Sequence, residues 1–217
     1  MSRSRDACLT GLRRALQRDR EALGLRSAMT VAGARLIDVA EELAEAGVDE
    51  FLGVGHDGLS REERFVVEFV RRVAGSGGLI ADAVVRRSAT RTAATLVRDH
   101  AVLREALGGG TGGAARGRLD PDWLCIIWKL FFGDLVETAV AAVIAEELEL
   151  AVPVLAVVDP TRAVPEWIAE ELIKVLPSPC EHGRQDPSKS LTAVARESLK
   201  DTVEGALGSG SPDAGGS

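Results

Sequence analysis

Apolar residues recur at three- and four-residue intervals along most of the chain, with glycine, proline or a capping residue between successive runs. Leu9, Leu12, Leu16 and Leu23 alternate with Arg and Asp, which predicts an amphipathic helix over residues 4–23. A second helix is predicted over 30–46, with Val31, Ile37, Ala40 and Leu43 inward, Glu41, Glu42 and Glu45 outward, and Gly47 as its stop. Residues 48–59 carry Gly53, Gly55 and Gly58 and predict a loop. Ser60-Arg61-Glu62-Glu63 has the form of a capping box, in which Ser60 accepts from the third amide and Glu63 reaches back. The helix it opens carries Phe65, Phe69, Val70 and Val73 and ends at the Gly-Ser-Gly-Gly run 75–78. Residues 79–107 are helical in pattern, with an expected break near 87–90, where Arg and Ser/Thr interrupt the periodicity.

Six of the ten residues 108–117 are glycine, the composition of a flexible linker. The expected organisation is therefore an N-terminal helical region 1–107, a linker 108–118, a C-terminal helical region 119–207 and a disordered tail 208–217. Asp120-Pro121 restarts the chain as N-cap and first helical residue. From Trp123 the chain is apolar almost without interruption to residue 158. Leu124, Ile127, Phe131, Leu135 and Ala142 share one helical arc, but Ile126 and Leu130 lie opposite, beside Lys129, Gly133 and Glu137. A helix apolar on nearly all sides needs burial on most of them, so a central helix is predicted at about 121–150. Residues 150–159 contain Pro153 among β-branched residues and predict a helix end followed by an extended or kinked segment. Pro165 opens another amphipathic helix, 177–187 is a polar loop, and 188–207 is a last helix with Leu191, Val194, Leu199 and Val203 inward. The fold class is all-α, a multi-helix bundle.

Charge adds an asymmetry. Residues 1–107 carry a net +1 and residues 108–217 a net −8, while 3–35 alone has eight Arg against Asp6, Asp19 and Glu21. The arginines alternate with apolar residues, which favours the basic N-terminal segment resting on the acidic second half, within one molecule or between two. The aromatic share of 4% and the absence of Tyr leave few stacking surfaces for bases or sugars. Cys8, Cys125 and Cys180 are widely spaced and form neither a disulfide framework nor a CxxC pair, which fits a reducing, cytoplasmic setting. The first residues have their apolar positions broken by charges and contain no signal-peptide core.

The candidate chemistry is sparse. None of His56, His100 and His182 has Glu three residues before it, so the Glu-x-x-His pairs of a di-metal bundle are missing. Cys180-Glu181-His182 supplies two zinc ligands where a structural site needs four. Gly53-Val54-Gly55-His56-Asp57-Gly58 has dinucleotide-loop spacing without the strand–turn–helix context that would bring a pyrophosphate to a helix end. There is no GxxxxGK[ST]. No cofactor and no metal is expected, and a catalytic role is not favoured. Convergence of distant residues would make Glu137, Glu146, His100 and the Cys180/His182 stretch the places to look.

Three function classes follow. The favoured one is a non-enzymatic interaction or regulatory module, self-associating or held by a protein partner, with Trp123, Trp128, Phe131 and Phe132 as the interaction surface. One alternative is a DNA-binding regulator contacting nucleic acid through Arg86, Arg87, Arg91 and Arg98. Its weakness is a turn position that favours Gly but holds Arg87 or Val85, together with overall acidity. The other is a peripheral membrane protein using 123–158. A membrane span is not expected, because Lys129, Asp134 and Glu137 interrupt the segment and no basic cluster flanks it.

Overall fold

The computed structural model describes residues 24–54, 58–76, 80–108, 118–151, 173, 176–185 and 188–207. These residues form an all-α bundle of eight helices, with no strand among them. In chain order the helices are α1 (Leu25–Glu45), α2 (Val48–Leu52), α3 (Arg61–Ala74), α4 (Ile80–Asp99), α5 (Ala101–Leu107), α6 (Trp123–Ala151), α7 (Pro179–Gln185) and α8 (Leu191–Ala206). The helix expected at 4–23, most of the one at 165–176, the extended segment beyond 151, the glycine-rich residues 109–117 and the tail lie outside the described residues.

Helix α6 is the predicted central helix. It packs against α4, α1 and α8, and Ile127, Phe131, Phe132, Leu135 and Val136 are fully enclosed, while Lys129 faces out. Three of these helices meet closely at Gly33 of α1, where a Cβ would overlap Leu199 of α8 and stand 3.0 Å from the Phe132 ring of α6. Absence of a side chain on α1 is what lets the three axes approach. Helices from both sides of the glycine-rich stretch contribute to one core: Leu36 and Leu43 of α1, Phe69 of α3 and Leu96 of α4 join Trp128 of α6 and Val203 of α8. Past that stretch, the Leu119 amide donates to the Leu43 carbonyl at 3.1 Å, returning the chain to the end of α1.

The capping-box expectation holds, with Ser60 and Glu63 forming the reciprocal box of α3. Ser190, not singled out from the sequence, caps α8 by accepting from the Ala193 amide. Other expectations are corrected. Helix α1 begins five residues earlier than its polar–apolar pattern suggested, because Leu25 and Met29 extend the buried face and Gly24 supplies a left-handed turn at its start. Residues 48–52 are a helical turn instead of loop, since Val48, Phe51 and Leu52 bury one face and glycines end it on both sides.

The break expected near 87–90 is absent, and α4 runs unbroken to Asp99. Its hydroxyl residues are absorbed: the Thr90 hydroxyl donates to the Arg86 carbonyl at 2.8 Å, while Ser88 and Thr92 are buried against α6. The interruption comes at His100, whose extended backbone separates α4 from α5. Residues 179–185, expected as polar loop, form α7.

Candidate interaction groove and redox bridge

The four aromatic residues expected to present a surface are core residues. Trp123 is 6% exposed, Trp128 2%, and Phe131 and Phe132 are fully covered. Their rings pack on one another, with Trp128 and Phe132 centroids 4.6 Å apart and Phe131 and Phe132 5.3 Å apart, and the edge of His100 rests on Trp123 at 5.3 Å. The reason is geometric: α4, α1 and α8 all lie against this helix, so the apolar circumference is satisfied inside the molecule. These side chains offer no exposed patch to a partner or a lipid surface. No described helix is long and apolar enough to cross a membrane.

The arginines fare differently. Arg86 and Arg87 are exposed on α4, and Arg86 also donates to the Gly75 carbonyl at 3.4 Å. Arg91 is claimed by α6, lying 3.4 Å from Asp134 and 3.2 Å from Glu137. Arg98 is paired with its neighbour Asp99 at 2.8 Å. Arg91 and Arg98 are thus paired with carboxylates of the same chain. Residues 80–99 form one continuous helix, with Ser88 and Ala89 buried where the turn of a helix-turn-helix was expected.

Beneath Arg91, the α4–α6 contact is polar. Thr92 Oγ1 lies 3.5 Å from Asp134 Oδ2, and Ser88 Oγ lies 3.5 Å from Thr138 Oγ1. Burial pushes the Asp134 carboxyl above the ordinary aspartate range, with Arg91 and the Thr92 hydroxyl pulling the other way and Glu137 adding to the rise. Glu146 has no described side chain, so the suggested grouping of Glu137, Glu146 and His100 lies partly outside the described residues. Among the described residues no three His, Cys, Asp or Glu side chains converge on a metal-sized site.

Cys125 and Cys180 form a disulfide, with their Cα atoms 5.9 Å apart although they stand 55 positions apart in sequence. Neither separation nor local motif marks such a pair, since only the packing of α7 beside the start of α6 brings the two together. The cysteine usage therefore gives no support for a reducing setting, and Cys180 is not a free ligand for zinc. Both cysteines are half-buried, and so within reach of solvent. Next to the bridge the Trp128 indole donates to the Pro177 carbonyl at 3.2 Å, and His182 Nδ1 lies 3.0 Å from the Ser178 carbonyl.

Between α7 and α8 an open groove of about 350 Å³ is lined by Pro177 and His182 on one wall and Val194, Glu197, Ser198 and Asp201 on the other, together with Lys189. Lys189 Nζ lies 2.8 and 2.7 Å from the two Glu197 oxygens. Of these residues only His182 was singled out from the sequence as a place to look for chemistry. Glu197 and Asp201 are one helical turn apart on α8, a pairing that a search for like charges at four-residue spacing would have found. Comparison with protein-family models, with characterised proteins and with solved structures gives no match to this chain.

Proposed function

We propose that this chain is a non-enzymatic helical interaction module that self-associates and acts as a regulatory protein. The observation that carries the proposal is the α7–α8 groove, an amphipathic cleft with two carboxylates on one wall and an ammonium already seated against one of them. Pro177 and Val194 provide apolar surface for the stem of a long cationic side chain, while Glu197 and Asp201 meet its head. The occupant assigned to it is the Arg-rich segment of a second copy. Residues 3–20 carry six Arg against Asp6 and Asp19, a net +4, whereas the groove belongs to the half of the chain with net −8. Opposite charge of this kind sets register and speeds encounter more than it adds affinity. Reciprocal exchange, with each copy's segment in the other's groove, closes a two-fold dimer.

The test is the mass of the full chain by size-exclusion chromatography with light scattering at low and high salt. A dimer at low salt that dissociates as salt rises is the expected result, since exposed ion pairs are screened. The double substitution Glu197→Gln with Asp201→Asn should weaken association about tenfold, because each exposed pair contributes up to about 1 kcal/mol. A monomer at every concentration and salt would overturn self-association. A dimer unaffected by the double substitution would exclude the groove as its interface.

A further inference from the structure

We propose that the Cys125–Cys180 bridge is a redox clasp that holds α7 in place as a wall of the α7–α8 groove, so that reducing it releases the groove's occupant. The inference rests on the groove being the docking site, and adds how that site is controlled.

Three observations support it. First, α7 is poorly equipped to hold itself in position. It is seven residues long with Gly183 in its middle, and isolated helices of that length are not stable in water. Of Pro179–Gly183, the residues whose burial is described, only Pro179 is buried. Second, among the described residues its link to the central helix is made by the disulfide and by one hydrogen bond from Trp128 to Pro177 immediately before it. Its main helix packing among those residues is against α8, the opposite wall of the groove. Third, Pro177 and His182 on one side of the groove flank Cys180 in sequence, at three and two residues' distance. Motion of Cys180 away from Cys125 therefore moves the groove wall itself.

The chemistry is thiol–disulfide exchange with a dithiol. A thiolate of the dithiol attacks one sulfur of the bridge, the sulfur–sulfur bond breaks, and its electron pair leaves on the other cysteine as a thiolate, which takes up a proton. The second thiol of the dithiol then loses its proton and displaces the remaining cysteine from the mixed disulfide. The dithiol ends as a disulfide, and Cys125 and Cys180 end as two thiols, having gained two electrons and two protons. Half-burial of both cysteines leaves the bridge open to such an attack.

The experiment uses the full chain, oxidised and after treatment with dithiothreitol, with two readouts. Amide hydrogen exchange over residues 178–185 reports the clasp. Binding of a synthetic peptide of residues 1–23, carrying Cys8→Ser to remove its thiol, reports the groove. Reduction is expected to raise exchange over 178–185 at least tenfold, leave the interior of α4 protected, and weaken peptide binding at least tenfold. A Cys125→Ser/Cys180→Ser chain should match the reduced form without dithiothreitol. Unchanged exchange over 178–185 on reduction would overturn the clasp whatever the peptide does. Faster exchange with a peptide that binds neither form would overturn the groove and its control together while leaving a redox-sensitive α7. Equal peptide binding to both forms would overturn control of the site alone. If the double-serine chain fails to fold, the comparison of oxidised and reduced wild-type chain decides.

Discussion

Gly33 and Leu199 meet with no room for a methyl group between them. The contact sits where α1 crosses α8, and Phe132 of α6 closes it from a third side. Replacing a helical glycine by alanine ordinarily stabilises by roughly 0.5–1 kcal/mol, but here the added carbon must push back two packed side chains. Gly33→Ala is therefore expected to lower stability by about 1 kcal/mol net, and Gly33→Val by about 3 kcal/mol, the range of overpacked cores. Urea denaturation checks the direction. Adding Leu199→Ala to Gly33→Ala should cost less than the two single losses combined, since the smaller side chain clears the overlap.

This contact also shows what the sequence did and did not make legible. The helical period of Leu36, Ile37, Ala40 and Leu43 marks a buried face of α1 whatever it packs on, so the all-α class and most helix positions follow from spacing alone. The capping box at Ser60 was equally plain, because both of its bonds are local. What spacing cannot convey is which faces meet. The aromatic run from Trp123 to Phe132 is equally consistent with a docking surface and a core, and only the arrival of α1, α4 and α8 decides for the core. The Ser/Thr residues of α4 resembled a break because their hydroxyls compete with helix in isolation. In the folded chain Ser88 and Thr92 face α6 instead. The groove and the disulfide join residues on separate elements, and no local signal encodes either.

Arg72 on α3 provides a second test of packing by a polar residue. Its guanidinium lies 4.4 Å from the centre of the Phe51 ring and donates to the Phe51 carbonyl at 2.8 Å, while also pairing with Glu42 of α1. One planar cation thus ties α2 and α1 to α3. A lysine at this position keeps the charge but cannot lie flat on the ring and donate in two further directions. Arg72→Lys is expected to cost about 1 kcal/mol and Arg72→Ala about 2 kcal/mol, from the lost cation–π contact and hydrogen bonds. Thermal melts of the two variants measure it, and a lysine variant as stable as wild type would show that charge alone accounts for the contact.

Asp134 sets a pH dependence of stability whose sign follows from its burial. Its folded carboxyl titrates above the ordinary aspartate range, chiefly because burial disfavours the charged form. Between the unfolded and the raised folded value the folded chain holds a proton that the unfolded chain has lost. Stability therefore falls as pH rises through that window, and levels off once Asp134 is ionised in both states. Asp134→Asn removes this component, so the variant should gain on wild type as pH rises from acid to neutral, offset in part by the lost Arg91 pairing. Urea midpoints measured at intervals from the aspartate range to neutrality test it. A variant whose stability relative to wild type stays constant, or falls, as pH rises would contradict the assignment.

The Cys125–Cys180 bridge makes a stability claim separate from any control of binding. Cross-linking two residues 55 apart restricts the unfolded chain. A loop of that length corresponds to about 4 kcal/mol in the chain-entropy treatment, before any change in the folded state. Reduction should therefore lower the melting temperature by roughly 8–16 °C for a domain of this size. Cys125→Ser, Cys180→Ser and the double variant should all lose a similar amount, because either single change opens the same loop. Their losses should not add, and dithiothreitol should destabilise none of them further. A loss confined to one single variant would point instead to a packing role for that side chain. Equal melting of oxidised and reduced wild-type chain would show that the unfolded state gains nothing when the bridge opens. Breaking the Trp128–Pro177 hydrogen bond with Trp128→Phe supplies the control, since it loosens the same attachment of α7 without opening the covalent loop. Its expected cost is about 2 kcal/mol in the oxidised chain, from the lost hydrogen bond together with the ring volume removed from the core.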